Sequence, residues 1–176
     1  NMVCLVDGEP CTISVPKALQ EFIKHRREIV TRRTLYLLNK TYSKAHVLEG
    51  LSIALDNIDE MIDLIKKSKS TDEAKKKITN KTWETSKNKW ILSKLVNDCS
   101  DFMTVDTKAG LSDEKYKISE EQAQAVLDMK LNKLTNLEQD TILDDYNNAT
   151  SSIKEYLNIL SNPEKLNSLM INELLE

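Results

Sequence analysis

Residue types able to do chemistry are few in this 176-residue chain, and their spacing suits no familiar reaction. His25 lies in a basic run and His46 at the junction of two expected helical segments. Neither has a cysteine or carboxylate at metal-ligand spacing, so each reads as a solvated or structural histidine. Cys4, Cys11 and Cys99 are odd in number and also lack metal-ligand spacing. Cys4 and Cys11 could oppose each other across a hairpin, but reduced thiols in a cytoplasmic protein are the plainer reading. Asp56, Asp59, Glu60 and Asp63 cluster on one helix, where an exposed polar face explains them better than a metal site. The only glycines, Gly8, Gly50 and Gly110, form no phosphate-cradling loop. The run HRREIVTRR at 25–33 could contact phosphates through Arg26, Arg27, Arg32 and Arg33. Half of those charges should instead face an acidic helix of the same chain, and that pairing outweighs DNA contact. Trp83 and Trp90 read as packing residues rather than base-stacking platforms. A catalytic constellation is hard to find among these residues.

Composition bounds the elements that position these residues. A 40% hydrophobic, 30% charged chain is core-forming and not disordered. Three glycines, three prolines and 5% aromatics leave little material for turns, so a Lys/Glu/Leu-rich chain of this kind should be mostly helical. The net charge of −3 predicts no strong overall attraction to nucleic acid. No apolar run approaches the ~18 residues of a membrane span, and no signal peptide is visible.

MVCLV-DG-EPCTISV carries the strongest hairpin signal, two β-prone runs around Asp-Gly. Such a hairpin is marginal alone and is expected to complete a sheet belonging to sequence outside this segment. Ser14 and Pro16 then open a helix of about 40 residues, with a break expected near Asn57–Asp59. Gly50 inside it suggests a close helix–helix approach. Capping-box spacing at Ser70/Glu73 and Ser119/Gln122 starts two further helices, another is expected at Lys89–Cys99, and a polar loop at Asp106–Asp113. A break near Thr135–Asn136 precedes the returning helix, and Asn162-Pro163 ends it and begins the last one.

Two distant helices look made for each other. Leu143, Tyr146, Ile153, Leu157 and Leu160, with Thr150 filling the gap, alternate three- and four-residue steps, which is a heptad seam. Leu19, Ile23, Val30 and Leu37 lie on a comparable face of the first helix, whose basic residues contrast with Glu138, Asp140, Asp144, Asp145 and Glu155 of the second. Chain order makes the pair antiparallel, with Leu19 near Leu160, Ile23 near Leu157, Val30 near Thr150 and Leu37 near Leu143. The expected fold is all-α: a long antiparallel coiled-coil stalk of ~35–40 Å with a globular helical knob at its tip, plus the N-terminal hairpin. Its parts are the hairpin at 1–15, the outgoing helix at 16–44, the knob at 45–135, the returning helix at 136–161 and a C-terminal helix at 162–176.

The strings NMVCLVDGEP, FIKHRREIVTRRTLYLL, AHVLEGLSIALDNIDEMIDLI, ISEEQAQAVLDMKLNKLTNLE and YLNILSNPEKL, in this order, resemble the A subunit of bacterial DNA gyrase. The equivalent subunit of topoisomerase IV shares the architecture, but HRREIVTRRT and the long insert at about 66–115 favour gyrase. Asn136 departs from the glycine that many relatives have there. The resemblance implies a type IIA topoisomerase, which passes one duplex through a transient double-strand break using ATP hydrolysed on another subunit. This segment would match the end of the tower domain, the coiled-coil stalk and the knob of the exit gate, the C-gate. Partners implied are a second copy through the knob, duplex DNA and the gyrase B subunit, with no membrane. ATP and Mg belong to other parts of the complex, and no cofactor to this one. None of Tyr36, Tyr42, Tyr116, Tyr146 or Tyr156 sits in the motif of the DNA-linking tyrosine, so the segment alone should cleave nothing. Leu51, Leu55, Gln122, Ala125, Val126, Met129 and Asn132 are the residues expected at the dimer interface. A non-enzymatic coiled-coil adaptor and a nucleic-acid-binding arm over 24–33 are the competing readings.

Overall fold

The computed structural model describes residues 2–84, 95, 98–103, 110–112, 115–129 and 136–175. It is mostly α-helical, as expected, with an N-terminal antiparallel hairpin. The hairpin pairs β1 (Met2–Val6) with β2 (Glu9–Ile13). Its two-residue turn has Asp7 at φ 52° and Gly8 at φ 87°, the mirror-image geometry that matches strand twist and that Asp-Gly adopts at least cost. Helix α1 (Val15–Asp56) follows, its first turn closed by the Ala18 amide donating to Ser14 O at 3.0 Å. The expected break falls at Asn57, whose side-chain amide donates to Ile53 O and Glu84 O, both at 2.9 Å. That amide is a second donor to Ile53 O, beside the Asn57 backbone N–H at 3.2 Å, and ties the helix end to a strand.

The chain divides into two compact units, residues 1–37 with 156–176, and residues 38–155. In the first, Val30 is fully buried in a cluster with Leu166 and Met170 of α6 (Pro163–Leu175), flanked by Ile159 and Leu169. Asn162 starts α6 by accepting the Glu164 amide at 3.0 Å, the capping role expected of Asn before Pro.

In the second unit, α2 (Ile58–Lys66) and α3 (Thr71–Asn80) lead into a three-stranded sheet of order β3–β5–β4. The strands are β3 (Thr82–Glu84), β4 (Gly110–Ser112) and β5 (Lys115–Lys117). The expected knob is helical throughout, and this small sheet is the one element that departs from it among the described residues. Each outer strand pairs antiparallel with β5, setting Trp83 and Leu111 on either side of Tyr116. Thr-Trp-Glu and Lys-Tyr-Lys each bury one aromatic between two exposed residues, a pattern too short to register as periodicity. Trp83 packs inside, in line with its sequence reading, with Nε1 donating to Ile78 O at 3.1 Å. Helix α4 (Glu120–Leu127) contacts α3 and opens with a complete capping box. Ser119 Oγ accepts the Gln122 amide at 3.2 Å, and Gln122 Oε1 accepts the Ser119 amide at 2.9 Å. Helix α5 (Asn136–Ser161) buries Ile142, Tyr146, Ala149, Thr150 and Ile153 within this unit. The helix expected at 89–99 and the loop at 106–113 lie mostly outside the described residues, as does Trp90.

Seam residues fare unevenly. Val30, Tyr146, Ile153 and Leu157 are buried, while Leu37, Leu143 and Leu160 are half-buried. Leu19 and Ile23 are 58% and 47% exposed. Beside Leu37 the buried positions are Thr34 and Leu38, so the inward face of α1 is turned by about one residue from the expected one. The expected register places Leu37 by Leu143, hence Tyr146 by Thr34. Tyr146 instead reaches Glu49, about four turns further along α1.

Packing rather than ion pairing holds α6 to α1. Met170→Ala is expected to cost about 2–4 kcal/mol. Glu173→Ala, which removes carboxylate contacts to partly exposed Arg26 and Arg33, should cost under about 1 kcal/mol. Urea unfolding of the two variants compares them directly, and a larger loss for Glu173→Ala would reverse the order.

Candidate functional site

The chemically distinctive place in the described residues is a buried carboxylate. Glu49 belongs to the apolar stretch AHVLEGLSIAL and is 2% exposed. A carboxylate so placed needs donors, because an unpaired buried charge costs several kcal/mol. Two phenols supply them. Tyr116 Oη donates to Glu49 Oε2 at 2.9 Å, and Tyr146 Oη donates to Oε1 at 3.2 Å. Tyr116 comes from β5, where strand alternation turns it inward, and Tyr146 from the buried face of α5.

Gln122 extends the network to α4. Its Nε2 donates to Tyr116 Oη at 2.8 Å and to His46 O at 2.7 Å, while its Oε1 serves the capping box. His46 Nε2 lies 2.9 Å from Ser119 Oγ, and the imidazole stacks on Tyr42 one turn earlier. Gly50 is what permits this approach. A Cβ there would sit 2.6 Å from Gln122 Cβ and Cγ, so the close helix–helix approach inferred from its position is real and its partner is α4. The groups around Glu49 thus join α1, β5, α4 and α5.

Burial raises the Glu49 pKa from 4.5 to about 7, with the two phenol donors pulling the other way. Burial first, and then the Glu49 charge, push the Tyr116 phenol far above its usual value, so it remains a donor throughout. When Glu49 takes up its proton, the new O–H needs an acceptor, and a phenol oxygen is at hand.

The residues expected at a dimer interface fall into three groups. Gln122, Val126 and Leu55 are buried in the chain's own core, and Gln122 is fully occupied by internal partners. Its expected place at an interface is therefore corrected: the capping box and the buried phenol draw the amide inward. Leu51, Ala125 and Met129 are half-buried. Asn132 lies outside the described residues, with Leu131 and Leu134 of the same expected face.

The arginines are also committed elsewhere than expected. Arg26 and Arg33 both contact Glu173 of α6, Arg26 at 2.7 Å, and Arg27 donates to Asn167 at 3.2 Å. Arg32 pairs with Glu28 one turn away. The acidic partner of Arg26 and Arg33 is thus on the last helix, where the sequence points to residues 138–155. Arg33, then Arg26, hold the Glu173 carboxyl below the usual range. His25, Asp56, Asp59, Glu60 and Asp63 are exposed. Among the described residues no three His, Cys, Asp or Glu side chains group as a metal site, and no helix is long and apolar enough to cross a membrane.

Sequence reading misses Glu49 and Tyr116 and takes Tyr146 only as an apolar seam residue. One signal is present: a lone carboxylate inside an otherwise apolar stripe.

The family model for the A subunit of DNA gyrase/topoisomerase IV matches residues 1–175, nearly the whole chain. The chain belongs to that family. It is 41% identical over 99% of its length to the DNA gyrase A protein of Pseudomonas aeruginosa, and 40% identical to those of Aeromonas salmonicida and Neisseria gonorrhoeae over 99% and 100%. It spans about a fifth of the length of these relatives, 19% of each.

Glu49 makes stability fall with pH. Its folded pKa of about 7 lies above the reference 4.5, so the folded state holds the extra proton between those values. The resulting stabilisation is complete below pH 4.5 and is lost as pH rises through 7, by about 3 kcal/mol in all. Glu49→Gln keeps a neutral group of the same shape and should delete this part of the slope. Thermal melts of both proteins across pH 4.5–8 measure it, and parallel slopes would remove Glu49 as the cause.

Proposed function

We propose that the chain is the exit-gate segment of a DNA gyrase A protein, a helical lever whose knob meets the same knob of a second copy and closes the path of a departing duplex. In this reading residues 17–44 and 137–160 form the antiparallel stalk, and the full protein supercoils DNA with ATP hydrolysed on its B subunit. The segment itself contributes no strand-cleaving residue and works in the cytoplasm.

The observation that carries the reading is the family match across residues 1–175. The site geometry supports it. A gate interface repeated by two-fold symmetry needs a surface that keeps its shape when unpaired. The first turn of α4 is capped, and Gln122 hydrogen-bonds to α1 and to Tyr116 of β5, while Ala125 and Met129 are only half-buried. Around them Glu120, Glu121, Gln124 and Asp128 are exposed. An apolar centre with a charged rim is the anatomy of a reversible protein–protein interface. The same acidic rim disfavours a phosphate backbone on this face. A nucleic-acid-binding arm over 24–33 is the weaker reading, because Arg26, Arg27 and Arg33 are engaged by α6.

Sedimentation at several concentrations tests the gate. Dimers are expected, and each substitution counts twice across a two-fold axis. Met129→Arg or Ala125→Arg should therefore weaken association at least about tenfold, or ~1.4 kcal/mol. Arg27→Ala with Arg32→Ala should leave it unchanged. A strict monomer at every concentration would sink the gate and favour an adaptor.

A further inference from the structure

Cys4 and Cys11 are direct cross-strand partners in the hairpin. We propose that they form a dithiol site which low-molecular-weight disulfides of the glutathione class close, reversibly, to an intrachain disulfide. The register that opposes them is locked. The two-residue Asp7-Gly8 turn makes Val6 and Glu9 the first pair, and pairs then alternate between hydrogen-bonded and non-hydrogen-bonded kinds. Leu5 with Pro10 is the non-hydrogen-bonded pair, where Pro10 has no N–H to miss. Cys4 with Cys11 is the next hydrogen-bonded pair, with Cα atoms ~5.5 Å apart, inside the window a disulfide accepts. Directly opposed residues project on the same face, so both thiols stand side by side.

Access and contrast complete the case. Both cysteines are free and half-buried, open enough for a small reagent. Cys99 is buried, and burial followed by the Asp98 charge pushes its thiol up to about 11, so it stands as the unreactive control. Opposed Cβ atoms at such a pair are ~5 Å apart, against ~3.8 Å in a relaxed disulfide. Closing the bond must therefore draw the strands together, and a strained bridge is readily reduced. The site is thus reversible rather than a permanent staple.

The exchange balances. One cysteine thiolate attacks a sulfur of oxidised glutathione, forming a mixed disulfide and expelling one glutathione thiolate. The second cysteine then attacks the protein-bound sulfur and expels the other. Two protein thiols are oxidised, one glutathione disulfide is reduced to two thiols, and the cysteine protons pass to the departing thiolates.

The test uses the full-length protein in buffers of set oxidised-to-reduced glutathione ratio, quenched with iodoacetamide and digested with trypsin. No Lys or Arg lies between Cys4 and Cys11, so the two share one peptide. In oxidised buffer that peptide is expected to be lighter by two hydrogens and unalkylated, and excess reduced glutathione should return it to the doubly alkylated form. Cys4→Ser and Cys11→Ser should each carry one glutathione adduct instead. A wild-type peptide that stays doubly alkylated, or that accumulates two glutathione adducts with no bridged form, would overturn the proposal. So would a bridge that reduced glutathione cannot open.

Discussion

Water is what Glu49 gives up. Removing a carboxylate from solvent is expensive enough that the surrounding structure must be arranged to repay it. Two phenols point at its oxygens, a glutamine amide holds one phenol from behind, and the same side chain closes the capping box of α4. Gly50 gives the glutamine its space. Three-residue strands would be weak as isolated structure, yet β5 is held in place because Tyr116 must reach the carboxylate and Trp83 on β3 lies next to it. The buried charge thus acts as a specification: one arrangement of α1, β5, α4 and α5 satisfies it, and slipped alternatives leave it unpaired. A polar group in this role selects a structure more than it adds stability.

The sequence is most legible where one residue decides its own neighbourhood. Asp-Gly dictates a mirror-image turn, Asn57 a helix break, Ser119 with Gln122 a capping box, and Asn162-Pro163 a new helix. Each is a contact within about four residues. Legibility fades with sequence separation. Heptad spacing identifies Tyr146, Ile153 and Leu157 as inward-facing, because periodicity reports which face is buried. It says nothing of what lies against that face, so it matches Tyr146 to the wrong turn of α1. Strands of three residues fall below any period. Gln122 shows a different failure. A polar residue on an amphipathic helix reads as exposed, and only the three-dimensional position of His46 and Tyr116 makes it one of the most enclosed side chains of α4.

Charge follows the same rule. The basic run at 25–33 does need acidic company, since like charges one turn apart repel. Net sign cannot select between the acidic residues of α5 and Glu164 or Glu173 on α6. Geometry does: Val30 docks against Leu166 and Met170, which brings Arg26 and Arg33 to one carboxylate a turn beyond. Arg26 is not fully repaid, for its Nε is buried without a partner among the described residues. The apolar cluster therefore sets the alignment and the ion pairs follow it.

The gate proposed for this chain would place opposing demands on its closing surface. It must bind its copy tightly enough to stay shut, yet release it within a catalytic cycle, so the interface should be small and its shape fixed beforehand. Ordering a helix only on contact would spend binding free energy on conformational entropy. Helix α4 avoids this, because its inward residues are already bound to Glu49 through Tyr116 and to the α1 backbone through Gln122. Beside its half-buried Ala125, the Gln124 amide donates to both carboxylate oxygens of Asp128 at 3.2 and 3.0 Å. Alanine has no rotamer entropy to lose at that position, and the charged margin tolerates water. The carboxylate network lies against the inward side of one eight-residue helix. Whatever holds that network in place also fixes the geometry of the helix's solvent-facing side.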